Sequence, residues 1–263
     1  MRNCLIMGFG RSGTSLMGGI LHQVGYYMGE ELYPPRNTNP KGFFENAIIN
    51  DINERILSKY DFGVMHNDAP TFKKIFSPYN PGTGQRWLTY ITKDVDINTL
   101  DELSKNEIKK AISVEGYAYK DPRFNYTLGI WNRFVDTDTI YICVFRQPDI
   151  VVESVITECN TSDYLSNFYI NREIAFKLWF NSYSHLLINL NSALLRRTVF
   201  VNYEQLLSGE ALDLLSVKLD VNIDSSFVEP KLNRSKPGIG MPPEVSRLYN
   251  KLCGLAGYIN NLK

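Results

Sequence analysis

The chain has 263 residues, of which 44% are hydrophobic, enough for a full core and too many for a disordered polypeptide. Its 28 Lys and Arg balance 28 Asp and Glu, so the basic excess that holds nucleic acid non-specifically is missing. Three scattered histidines (22, 66 and 185) suggest no His-based metal site, and four cysteines without a C-x-x-C pair read as thiols of a reducing, cytoplasmic compartment. In chain order, residues 3–8 form a short apolar run ending in glycine, the pattern of a buried strand. No apolar stretch reaches the roughly 18 residues of a membrane helix. The opening MRNCLIMGFGR is interrupted too soon by glycines and Arg11 to act as a secretory leader.

From Gly13 onward, Leu16, Met17, Ile20, Leu21 and Val24 share one helical face, and Gly25 marks a stop. Ile48, Ile49, Ile52, Ile56 and Leu57 repeat that spacing over 45–59. Residues 76–86 are rich in turn formers and read as a loop, and 99–112 as a charged surface helix. Strands are expected at 115–119, 139–145 and 198–203. Helices are expected over about 165–195, over 204–218 and after Pro243. Alternating strands and helices, with strands apolar on both sides, predict one three-layer α/β domain over 1–263, a central parallel sheet with helices on both faces. The irregular stretch 60–112 is the expected insert that shapes a specificity pocket.

The sharpest motif lies between the first strand and the first helix: Gly8-Phe9-Gly10-Arg11-Ser12-Gly13-Thr14-Ser15. Glycines let the backbone curl so that several N–H groups face one anion, and the helix N-terminus adds partial positive charge. Gly8, Gly13 and Ser15 keep the spacing of a Walker A loop, which makes the expected fold P-loop NTPase-like, but Thr14 stands where that motif has Lys. A P-loop NTPase sets that Lys on the β/γ-phosphates and holds Mg²⁺ with an acidic residue at a later strand end. Here the later strand ends in Arg146. The site is therefore expected to hold its anion with donors and arginines, using no metal. A second anion site is expected where Arg146 ends its strand and Ser154 follows eight residues on, near the second turn of a helix opening at Pro148.

The combination of Gly10-Arg11-Ser12-Gly13-Thr14-Ser15, Lys120-Asp121-Pro122-Arg123, and Phe145-Arg146-Gln147-Pro148 with Ser154 resembles the sulfotransferases that use 3′-phosphoadenosine 5′-phosphosulfate (PAPS). The resemblance runs in motif order from Met1 to about Tyr203 and is strongest with the soluble bacterial-type members, which also have segments like Asn39-Pro40-Lys41-Gly42-Phe43-Phe44-Glu45-Asn46. It implies that the first loop grips the 5′-phosphosulfate, that Arg146 and Ser154 grip the 3′-phosphate, and that 3′-phosphoadenosine 5′-phosphate (PAP) is the product. Two departures stand out: Arg11 replaces the Lys usual in cytosolic animal enzymes, and their Lys-Thr-His signature is absent. Asn233-Arg234-Ser235 loosely matches the family's closing basic loop, which would bring Arg234 to the nucleotide.

The implied reaction is in-line transfer of a sulfuryl group to a hydroxyl or amine, which needs alignment and a cation at the bridging oxygen. Arg11 is the candidate for that cation, since it stays protonated and makes forked bonds to oxyanions. Glu45, expected at a helix start, is the first candidate for the base that deprotonates the acceptor; its bland alternative is a helix cap. Asp121 competes for the base role or pairs with Lys120 or Arg123. Lys120 is a candidate to touch the sulfate, and His66 is a further candidate base. Phe9, Phe43, Phe44 and Trp87 are candidates to stack on adenine or line the acceptor cleft. Two other readings stay open: a P-loop kinase for a small molecule, and a non-catalytic nucleotide-binding module. The residues leave the acceptor open among small molecules, lipids and glycans, and the oligomeric state open as well.

Overall fold

The computed structural model describes residues 1–36, 39–60, 84–165, 168–229 and 240–259. Their strands are β1 (Cys4–Met7), β2 (Ala118–Lys120), β3 (Ile140–Phe145) and β4 (Thr198–Asn202). Among the described residues they form one sheet, ordered β2-β1-β3-β4, with every pair parallel. The helices between them are α1 (Thr14–Gln23), α2 (Ala47–Leu57), α3 (Glu102–Ala111), α4 (Phe124–Trp131), α5 (Pro148–Thr161), α6 (Arg172–Asn189), α7 (Ser192–Arg196), α8 (Tyr203–Ser208), α9 (Leu212–Leu219) and α10 (Pro243–Ala256).

The two-residue period of a strand explains the three layers. In β1, Leu5 and Met7 enter a core with Ile52, Trp131 and Tyr183, which come from α2, α4 and α6. Cys4 and Ile6 enter the opposite core with Met17 and Ile20 of α1 and Leu215 of α9. Both faces are apolar, so β1 and β3 read as continuous hydrophobic runs. The four cysteines are free and buried. Among the described residues no helix is long and apolar enough to cross a membrane.

Several boundaries differ from the sequence expectation, for local reasons. The first of the later strands starts at Ala118 rather than 115, because Gly116 turns the chain with φ 70°. The long helix expected over 165–195 is divided: Asn171 caps α6 and Asn191 caps α7, each accepting backbone N–H bonds that open a new helix. The helix expected over 204–218 is divided at Gly209, in a left-handed conformation between α8 and α9. In α2 the apolar face is narrower than its periodicity suggested. Ile48 is exposed, while the polar Asn50, Asn53 and Glu54 are buried. The burial of those three polar side chains is the first sign that α2 supports a site.

Candidate active site

The carboxyl ends of β1, β2 and β3 open on a cleft of about 960 Å³, where ligands of open parallel sheets bind. Its floor is the loop between β1 and α1. Gly8 (φ 141°) lies so close to β3 that a Cβ would meet the Val144 carbonyl oxygen at 2.1 Å. Gly13 (φ 96°) is pressed by the Tyr203 ring, 2.3 Å from where its Cβ would stand. Arg11 adopts the left-handed region with φ 68°, unusual for a residue with a side chain. No side chain caps α1, so the N–H groups of its first turn remain available to an anion.

The loop is fixed from below by Tyr183 of α6. Its phenol accepts the Phe9 N–H at 3.1 Å, donates to the Val144 carbonyl at 2.8 Å and lies 3.2 Å from Ser12 Oγ. Ser12 is therefore turned into the protein; it belongs to the loop's support rather than to the cleft wall. Burial first, with the nearby Cys143, holds the Tyr183 phenol well above its ordinary pKa, so it stays a neutral donor. Tyr183→Phe is expected to cost about 1–3 kcal/mol by leaving a buried N–H and C=O without this partner. Urea denaturation read by fluorescence checks it; an unchanged midpoint would show that the loop supports itself.

One end of the cleft gathers Arg11, Arg146 and Ser154. Arg11 Nε donates to Ser154 Oγ at 3.0 Å, and its Nη1 lies 3.7 Å from Glu158 Oε2. Arg146 is buried, with its guanidinium carbon 4.0 Å above the centre of the Tyr203 ring and Nη2 3.9 Å from Glu204. Burial lowers the Arg146 pKa and Arg11 adds repulsion, while Tyr203 and Glu204 oppose both. An arginine remains charged through such a shift.

The other end gathers Ser15, Lys120 and Glu45. Lys120, at the end of β2, lies 3.4 Å from Ser15 Oγ and is ion-paired with Glu45. Glu45 does not cap α2, because Asn46 fills that role by accepting the Ile49 N–H at 3.1 Å. Glu45 is thus left at the cleft wall beside Lys120, with Thr14 nearby on the loop.

Asp121 takes a different place from its neighbour. It is fully buried, accepts from Asn50 Nδ2 at 2.8 Å and Arg123 Nη1 at 3.0 Å, and does not line the cleft. Burial, above all, raises its pKa, with Arg123 acting against it. Its pairing with Arg123 was one of the two sequence alternatives, and this position offers an acceptor no path to its carboxylate. Arg123 continues the network to Glu54 (2.5 Å) and the Gly84 carbonyl (2.8 Å), and Glu54 also takes Arg86 at 2.8 Å. Burial opposes the Glu54 charge, but Arg123 and Arg86 outweigh it and hold its carboxyl below the usual range. This network ties residues 84–86 to α2 beneath the cleft and explains the burial of Asn50 and Glu54, while Asn53 Oδ1 accepts from Thr127 Oγ1 and Trp131 Nε1, each at 2.8 Å.

Trp87 lines the cleft and presses on Gly10, where a Cβ would meet its ring at 2.5 Å; Phe43 lines it too, but Phe9 and Phe44 are buried. Arg234 and His66 lie outside the described residues, as does most of the loop expected over 76–86. His22 and His185 do not line the cleft. Sequence reasoning missed Glu158, Tyr203, Tyr183 and Glu54. Two of these had a signal: Glu158 lies one helical turn after Ser154, and Tyr203 follows β4 directly.

No family model matches the chain, and no curated protein matches it. Among solved structures, a sulfotransferase domain from the curacin biosynthetic pathway is similar over 98% of this chain and 99% of its own, with a TM-score of 0.50 and 16% identity. A sulfotransferase from Mycobacterium tuberculosis H37Rv covers 96% of this chain and 76% of its own, with a TM-score of 0.43 and 14% identity. The first likeness establishes a shared fold, the three-layer α/β arrangement with its parallel central sheet.

Proposed function

We propose that the chain is a PAPS-dependent sulfotransferase, moving a sulfuryl group to a hydroxyl or amine of a small-molecule, lipid or glycan acceptor. The observation that carries this reading is a single cleft with two cationic ends, Arg11 with Arg146 and Ser154 at one, Lys120 with Ser15 at the other. A nucleotide phosphorylated on its ribose and sulfated at its 5′ end is the ligand class with two such anionic groups. The residues suit it: uncapped N–H groups at α1, two guanidinium groups and the hydroxyls of Thr14, Ser15 and Ser154 supply donors without an acidic metal ligand at the end of β3. The free, buried cysteines support a reducing, cytoplasmic setting.

On this reading Arg146 and Ser154 hold the 3′-phosphate, and Gly10, Gly13, Thr14 and Ser15 with the first-turn N–H groups hold the 5′ end. The donor supplies an activated sulfuryl group with a phosphate leaving group. Lys120 stabilises negative charge developing beside Ser15, and Glu45, at the same wall, accepts the acceptor's proton. Arg11 links the two ends: its backbone is part of the loop and its side chain reaches Ser154. On this reading Lys120, 3.4 Å from Ser15 Oγ, shares with Arg11 the role of cation at the bridging oxygen.

A thermal-shift comparison of PAP, ADP and ATP without added metal tests the reading. At about 100 times its Kd, PAP is expected to add about 2.7 kcal/mol of stability, with little shift from the other two. Equal shifts for all three would remove Arg146 and Ser154 from 3′-phosphate recognition.

A further inference from the structure

Glu158 is the unexpected member of the cleft, because its charge has the same sign as the proposed ligand. It lines the cleft yet is only 1% exposed. One carboxylate oxygen accepts from both Ser162 Oγ and Tyr164 Oη, each at 2.9 Å. The other lies 3.7 Å from Arg11 Nη1. Tyr164 is itself covered by Arg36, whose guanidinium carbon is 4.3 Å from the ring centre. Two hydroxyl donors thus fix the carboxylate with its second oxygen towards Arg11. Ser154, which takes Arg11 Nε, precedes Glu158 by one turn of α5. Helix α5 therefore presents Arg11 with a hydroxyl and a carboxylate side by side. A bound phosphate near Arg146 and Ser154 has to share Arg11 with that carboxylate or draw it away.

We propose that Glu158 is a positioning residue that holds Arg11 on α5 and competes with the nucleotide for it, so that its charge sets how tightly the cleft retains a 3′-phosphorylated nucleotide. The inference rests on the nucleotide reading above. It also accounts for two neighbouring arginines in one pocket: with the ligand gone, Glu158 remains as a counter-charge to Arg11, which otherwise repels Arg146.

The test is isothermal titration of PAP. Glu158→Gln keeps an oxygen for Ser162 and Tyr164 while removing the charge, and is expected to lower the PAP Kd about tenfold. The same change made in an Arg11→Gln background is expected to leave Kd within about twofold, because the competition acts through Arg11. A Glu158→Gln variant that binds PAP as weakly as the wild type, or more weakly, overturns the proposal, as does tightening of equal size without Arg11. Glu158→Met, uncharged and of similar volume, gives a second reading if the glutamine variant folds poorly. Failure of the wild type to bind PAP defeats the nucleotide reading instead. The variants are then compared with inorganic pyrophosphate, which asks only for an anion pocket: tightening there upholds the role of Glu158, and its absence overturns it.

Discussion

Glu45→Gln is expected to lower kcat by about 10²–10⁴-fold, the usual contribution of a positioned general base, with PAP binding retained. The argument starts from what Glu45 does not do. It is not the cap of α2, a task performed by Asn46, so the carboxylate is not needed to start the helix. It stands at the cleft wall, paired with Lys120, whose ammonium reaches Ser15 in the phosphate loop. A hydroxyl entering to attack beside Ser15 would find this carboxylate within the same few ångströms. Asp121 offers no substitute, being fully buried and bonded to Arg123 and Asn50. Glutamine keeps the shape and an oxygen for Lys120 but takes no proton. It also leaves Lys120, only 3% exposed, without its counter-charge, and breaking a buried pair typically costs about 3–5 kcal/mol. Two readouts therefore follow. The apo variant melts below the wild type, and PAP restores much of the difference by supplying an anion to Lys120. Turnover with saturating donor and acceptor falls whether or not PAP is bound tightly. A variant turning over within about threefold of the wild type would exclude Glu45 as the base.

The parts of the molecule legible in the sequence are those whose signal is local. The runs at Cys4–Met7 and Ile140–Phe145 read as strands because both faces of a parallel sheet are apolar, and the loop after β1 reads as an anion cradle because glycines and a helix start follow one another. Arg146 and Ser154 could be paired because eight residues of chain connect them across a strand end and two helical turns. What was not legible depends on partners far apart in the chain. Tyr183 supports Phe9 across 174 residues, and Arg123 meets Glu54 across 69. No window of sequence contains both members of either pair. The direction of Arg11 was hidden for another reason. Its backbone lies in the loop, but a guanidinium on a long stem goes to whichever acceptors and negative charges the fold presents, and here α5 presents Ser154 and Glu158. The breaks at Asn171 and Asn191 are a different case: both are good capping residues, and their signal was overridden by the apolar content of the surrounding stretch.

Arg146→Ala is expected to abolish the preference for a 3′-phosphate, at a cost of about 2–5 kcal/mol in PAP binding, the range for removing one partner of a buried charge pair. The size follows from how the side chain is held. Arg146 leaves the end of β3 directly, is 6% exposed and holds its guanidinium carbon 4.0 Å from the Tyr203 ring centre, so its fork is held in place before any ligand arrives. Glu204 is 3.9 Å away and its side chain is 45% exposed, so water can solvate it when the arginine is gone. Removal also ends the repulsion with Arg11. The fold should therefore tolerate the change while the ligand does not, which separates this variant from one that fails by unfolding. Arg146→Lys should recover little, because an ammonium neither stacks on the Tyr203 ring in the same way nor donates a planar fork. Titration with PAP and with 5′-AMP decides the matter. The wild type is expected to bind PAP far more tightly, and the alanine variant is expected to bind the two alike, with its 5′-AMP affinity close to that of the wild type. A variant that keeps the preference for PAP would move 3′-phosphate recognition away from the end of β3 and leave Arg146 as a buried support for Tyr203.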